Sequence, residues 1–215
     1  MSAQVKICGL STFGTLSAAL DAGASFVGFV NFARSPRHVE LPVAAALADA
    51  ARGRAKIVSL TVDADDALLD RIVAGVRPDY LQLHGAETPA RVAEIAGRQK
   101  IPAIKAMKIA TAADVALAEQ YRGIAAFVLY DAKVDAQAAG RLPGGNGVAF
   151  DWRLLAGVAA KGPFMLSGGL DAGNVAAAIL VTGAPMVDVS SGVESAPGIK
   201  DIEKIRRFLL ASGDR

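Results

Sequence analysis

Short runs of β-branched and apolar residues alternate with longer amphipathic stretches along this chain, and the alternation is strict. The strand-like runs cover 4–8, 26–30, 56–61, 79–83, 103–107, 124–130, 163–167 and 186–190. Helix-like stretches follow at 12–22, 42–52, 64–75, 88–98, 111–121, 151–160, 172–181 and 200–212. Antiparallel strands can be joined by tight turns, whereas parallel neighbours need a crossover, usually a helix. A βα repeat therefore predicts a parallel sheet covered by helices, and eight units close it into an α/β (β/α)8 TIM barrel.

Residue chemistry at the junctions supports the count. Thr12, Asp63, Thr88, Thr111 and Asp151 sit where N-caps belong, offering a side-chain oxygen to the first free N–H groups of a helix. Pro42 and Pro89 fit first-turn positions, where a missing N–H costs nothing. Gly23, Gly75, Gly97 and Gly123 fall where left-handed C-caps are expected. No linker or low-complexity tract divides the 215 residues, so residues 1–215 are expected to form one domain around one core. The longest irregular stretch, 131–147, has the length of a functional or mobile loop.

Composition excludes several classes. Lys and Arg number 23 against 21 Asp and Glu, with no basic block, which gives no case for nucleic acid. No apolar run approaches the ~20 residues of a membrane span. One cysteine leaves no internal disulfide, and the start Met1-Ser2-Ala3-Gln4 lacks an apolar signal core. Both point to the cytoplasm. The helices are alanine-rich without an evident exposed apolar patch, and a monomer is expected rather than an obligate oligomer.

In such a barrel the chemistry gathers at the C-terminal strand tips. Cys8, the sole cysteine, ends the first strand beside Gly9. It is either an inert buried hydrophobe or, if its pKa is lowered, a base or nucleophile. Lys6 is read as pointing to the opposite strand face, away from the thiol. Asp131 follows the apolar run ending at Tyr130 and is either a structural cap or lysine partner, or an acid facing Cys8 across the mouth. Arg37, in Ser35-Pro36-Arg37-His38, is a solvated arginine or a bidentate carboxylate clamp. His84 is a ligand contact or a structural histidine. Gly168, Gly169, Ser191 and Gly192 lie after strands 7 and 8, the usual phosphate site of the architecture; the alternative is a pair of ordinary tight turns. The one Cys and two separated His show no metal-ligand spacing. No dinucleotide fingerprint follows a strand, and no cofactor is expected.

Seven segments, in order, resemble the phosphoribosylanthranilate isomerase family of tryptophan biosynthesis. They are KICGL (6–10), SPRHV (35–39), LQLHG (81–85), LYDAK (129–133), PGGNGVAFDW (143–152), LSGGL (166–170) and DVSSGVE (188–194). The resemblance implies an isomerase acting on a small phosphosugar–anthranilate, with Cys8 as general base and Asp131 as general acid. It places Arg37 at the anthranilate carboxylate and His84 and Asp188 along the pocket. It puts the loop glycines Gly144, Gly145 and Gly147 over the substrate, with Gly168, Gly169, Ser191 and Gly192 at its phosphate. The implied Amadori rearrangement needs Asp131 protonated and Cys8 deprotonated. Two departures stand out: Asn31 where an apolar or aromatic residue is expected, and Tyr130 where leucine or phenylalanine is more usual. Asn31 bears on the pocket wall.

Two other readings share the scaffold. A related phosphosugar barrel, such as an isomerase of histidine biosynthesis or indole-glycerol-phosphate synthase, is one. The histidine-type enzyme would want paired aspartates on strands 1 and 5, where this chain has Cys8 and Lys105. A non-catalytic phosphate-ligand sensor would need the glycine turns but not the Cys8/Asp131 pair.

Overall fold

The structure is a computed structural model and describes residues 3–132 and 151–213. Among these residues eight parallel strands close on themselves in chain order. They are β1 (Gln4–Cys8), β2 (Phe26–Val30), β3 (Lys56–Thr61), β4 (Tyr80–Leu83), β5 (Ala103–Ile109), β6 (Phe127–Ala132), β7 (Phe164–Leu166) and β8 (Met186–Val189). The ring closes where β1 pairs with both β2 and β8. The helices α1 (Phe13–Asp21), α2 (Leu41–Ala51), α3 (Asp66–Val76), α4 (Pro89–Gln99), α5 (Ala112–Ala118), α6 (Val175–Thr182) and α7 (Ile202–Ser212) lie outside.

The period of two sorts each strand into two cores. Val5, Ile7, Val27, Phe29, Leu81 and Leu83 face outward into the helix layer. Inside, Phe26, Tyr80 and Phe127 pack ring to ring, with centroids 5.6–6.4 Å apart, beneath Val58, Ile104, Leu129 and Met165. The barrel is thus a filled core. Among the described residues no helix is long and apolar enough to cross a membrane.

Local expectations fare unevenly. Thr12, Thr88 and Thr111 cap their helices, Thr111 within a reciprocal capping box with Asp114. The cap of α3 is Asp65; Asp63 instead accepts the Ala86 N–H, tying the β3 and β4 loops together. Gly75 and Gly97 lie inside α3 and α4, which run on to left-handed caps at Arg77 and Lys100. The expected helix over 151–160 is replaced by 3-10 turns at Trp152–Leu155 and Ala159–Lys161; Asp151 caps the first. Gly157, at φ +83°, breaks what would be the helix interior. After β8 an unanticipated antiparallel hairpin forms from β9 (Glu194–Ala196) and β10 (Ile199–Lys200).

Candidate active site at the barrel mouth

The strand tips surround a cavity that opens at the barrel mouth. Cys8, Arg37, His84, Asp131, Gly168, Gly169, Asp188 and Ser191 all line it. Residues from six strand junctions far apart in sequence therefore converge on one space. Gly144, Gly145 and Gly147 lie outside the described residues.

On one flank β1 projects Cys8 and Lys6 to the same interior side. This corrects the expected orientation of Lys6: residues two apart on a strand share a face. Lys6 is fully buried and donates to Asp188 Oδ1 at 2.8 Å; Ser167 Oγ donates to the other oxygen at 3.0 Å. Asp188 therefore lines the cavity with both carboxylate oxygens engaged. Burial pushes the Cys8 thiol above its ordinary pKa, against the opposing pull of Lys6 and Lys200, with Asp188 adding to the rise. The expected lowering does not occur, because desolvation of the sulfur outweighs its cations.

On the opposite flank His84 Nε2 lies 3.2 Å from Asp131 Oδ2, and Gln82 Nε2 lies 3.2 Å from His84 Nδ1. Gln82 and His84, two apart on β4 and its tip, share the interior face. Asp131 is the next-to-last residue of β6, and its Oδ1 accepts the Ala132 N–H at 3.0 Å. Tyr130 faces away, edge-on to Phe164 in the helix layer.

Arg37 is a bidentate carboxylate clamp, and the carboxylate is internal. Its Nε and Nη2 donate to Glu194 Oε1 and Oε2 at 2.7 and 2.8 Å. Glu194 also accepts from Lys200 Nζ at 2.7 Å. Burial pushes the Glu194 carboxyl up, but Arg37 and Lys200 together hold it below the usual carboxylate range. The hairpin thus pins the Arg37 loop to the β8 side, and Arg37 lines the cavity. Asn31 donates to the Val39 carbonyl at 3.3 Å, and its neighbour Phe32 lines the wall.

The two glycine turns meet at the rim. Gly168 and Gly169 have φ of +87° and +67°, and a Cβ on Gly168 would collide with the Ala132 backbone. A Cβ on Gly192 would collide with the Leu170 carbonyl, so Gly192 lets the second turn close against the first. Ser191–Val193 forms a 3-10 turn there. Sequence reading missed Lys6, Gln82, Ser167, Glu194 and Lys200. Strand parity carried the signal for Lys6 and Gln82; the Glu194 pairing depends on a hairpin with no local signature.

A family model described as N-(5'phosphoribosyl)anthranilate (PRA) isomerase matches residues 5–211. The chain is 57% identical over 212 residues to an N-(5'-phosphoribosyl)anthranilate isomerase of Rhodopseudomonas palustris, covering 99% of this chain and 96% of that one. It is 52% identical to the Brucella canis protein of the same name over 214 residues, covering 100% and 96%. The crystal structure of phosphoribosyl anthranilate isomerase from Thermotoga maritima superposes with a TM-score of 0.88 at 31% identity, covering 98% of each chain. A crystal structure of phosphoribosyl anthranilate isomerase in complex with reduced 1-(o-carboxyphenylamino)-1-deoxyribulose 5-phosphate superposes at 0.83 with 29% identity and the same coverage. A family model over nearly the whole chain, with relatives alike over the same length, settles the family: the chain belongs to the N-(5'-phosphoribosyl)anthranilate isomerases.

Proposed function

We propose that the chain converts N-(5'-phosphoribosyl)anthranilate to 1-(2-carboxyphenylamino)-1-deoxyribulose 5-phosphate, an isomerisation in tryptophan biosynthesis, with Asp131 as general acid and Cys8 as general base. One observation carries the assignment: Cys8 and Asp131 stand on opposite flanks of one cavity whose rim holds both glycine turns. Asp131 gives its proton to the furanose ring oxygen as the C1–O bond breaks, and the anthranilate nitrogen lone pair forms the Schiff base. The Cys8 thiolate then takes the proton from C2, and the electron pair moves through C1 to the nitrogen as an enolamine. Tautomerisation to the ketone returns the proton held by Cys8 to C1 and passes the 2-hydroxyl proton to Asp131, which completes an internal redox exchange between C1 and C2 and resets both side chains. The substrate nitrogen is the electron sink, so every proton and electron is accounted for by the substrate and these two side chains.

The surroundings support these roles. His84 is placed to hold the Asp131 carboxyl toward the cavity. Arg37 presents its guanidinium to the substrate carboxylate from a clamp that fixes its orientation. Gly168, Gly169, Ser191 and Gly192 form the phosphate end, where glycine lets backbone N–H groups approach an anion. A base that must stay a free thiol suits a reducing compartment, the cytoplasm. All these groups come from one chain, so residues 1–215 act as one domain and a monomer suffices.

The test is the loss of substrate fluorescence with purified protein and no added cofactor. Turnover to the aminoketose phosphate is expected. A folded protein that binds a phosphate ligand without consuming the substrate would overturn the reading in favour of a sensor. Turnover of a different phosphosugar alone would favour a related barrel enzyme.

A further inference from the structure

We propose that Lys6 is a positioning residue for the base: held by Asp188 over the gap left by Gly28, its ammonium stabilises the Cys8 thiolate. The inference rests on the assignment of Cys8 as base and extends it to the group that makes the thiolate available.

The geometry comes from strand register. Pairing of β1 with β8 sets Lys6 beside Asp188, and pairing of β1 with β2 sets Cys8 beside Gly28. A Cβ built on Gly28 would lie 3.1 Å from Cys8 Sγ, 3.1 Å from Lys6 Cε and 3.1 Å from Lys6 Nζ. Sulfur and ammonium therefore converge on the same interior point, and a side chain on β2 would displace one of them. Asp188 occupies one of the three ammonium donors, and Ser167 fixes the carboxylate from its other side. Lys6 thus directs its charge toward the sulfur instead of ranging through the core.

Several charges face the thiol. Lys6 lies on its own strand, Asp188 on β8 and Lys200 on β10; Arg37, His84 and Asp131 line the same cavity. Of the ionic influences on Cys8, that of Lys6 is the largest, and it opposes burial. Asp188 and Cys8 in turn hold Lys6 above its ordinary value despite its burial, so the lysine stays charged. A buried thiolate is a strong base present in small amount; a fixed cation beside it raises the amount. An ion pair that only held the barrel together would not need its cation to share this gap with the sulfur.

Cys8 is the only cysteine in the chain, so its thiolate absorbance, measured against Cys8→Ser, titrates one group. Lys6→Met should move that titration alkaline by roughly 1–3 pH units and displace the acid limb of the kcat/KM profile equally. Lys6→Arg should restore most of the displacement. Should Lys6→Met fail to fold with Asp188 unpaired, Lys6→Met/Asp188→Asn is the isosteric alternative. Its titration should move in the same direction by less, because Asp188 opposes the thiolate. An unmoved titration in a folded variant would overturn the proposal, whatever its activity. A titration that moves without the rate profile would also overturn it as a statement about catalysis. Failure of the base assignment itself is distinguishable, since Cys8→Ser would then turn over near the wild-type rate.

Discussion

On the β1–β8 flank of the mouth, Cys8 stands against Lys6, Lys200 and Asp188, all buried and all capable of carrying charge. On the β4–β6 flank, Asp131 stands against His84, whose other ring nitrogen lies beside the Gln82 amide. A thiol asked to lose its proton is surrounded by fixed cations; a carboxyl asked to supply one is held by groups that both give and take hydrogen bonds. Ion pairs in a dry interior cannot rearrange cheaply, whereas an imidazole can exchange tautomers with its neighbour's protonation state. The contrast teaches that one barrel end can hold an ionic cluster and a hydrogen-bonded one side by side.

Substitutions on the two flanks sharpen the contrast. Asp131→Asn should give the largest loss, about 10²- to 10⁴-fold in kcat, the usual scale for general acid catalysis. Binding of a phosphate-bearing product analogue by calorimetry should persist; near-normal turnover would remove the acid from this flank. Next comes Arg37→Ala, which breaks the buried pair with Glu194. It should cost about 3 kcal/mol in urea unfolding, the low end for removing one partner, because Lys200 still holds Glu194.

His84→Ala on the acid flank should cost less, about 1–3 kcal/mol, since it strips a hydrogen bond and not a charge from its neighbours. Equal losses for the two variants would break the distinction between an ionic and a hydrogen-bonded flank. The smallest effect concerns pH. The Glu194 carboxyl is held below its unfolded value by Arg37 and Lys200. Its contribution to stability is complete above the unfolded value, about 4.3, and is lost as pH falls through the folded one. Thermal melts of Glu194→Gln should therefore show a flatter decline below that pH than the wild type. An identical decline would place the acid sensitivity elsewhere.

Most of the barrel was legible in the chain because hydrophobic period and turn chemistry are local. The eight strands fall close to where alternation places them, and Cys8 and Asp131 reach the same cavity from β1 and β6. Errors arose where distant parts of the chain decide. Asp63, read as the cap of α3, is claimed by the Ala86 N–H, and Asp65 caps the helix in its place. Helix α3 passes through Gly75 because Val76 beyond it still buries against the barrel, and α4 runs on past Gly97; Arg77 and Lys100 take the left-handed caps instead. Glu194 reads as the end of a glycine turn until the hairpin presents it to Arg37, 157 residues away. Lys6 is different: the period of two already placed it on the face of Cys8, so that feature was present in the chain and misread.

The account stands most directly on single-turnover kinetics of Cys8→Ser with N-(5'-phosphoribosyl)anthranilate, alongside a binding measurement with a phosphate-bearing analogue. It predicts undiminished binding with the chemical step slowed by about 10²-fold or more. A chemical step near the wild-type rate would contradict it, and would return the sole cysteine to the role of a small buried hydrophobe.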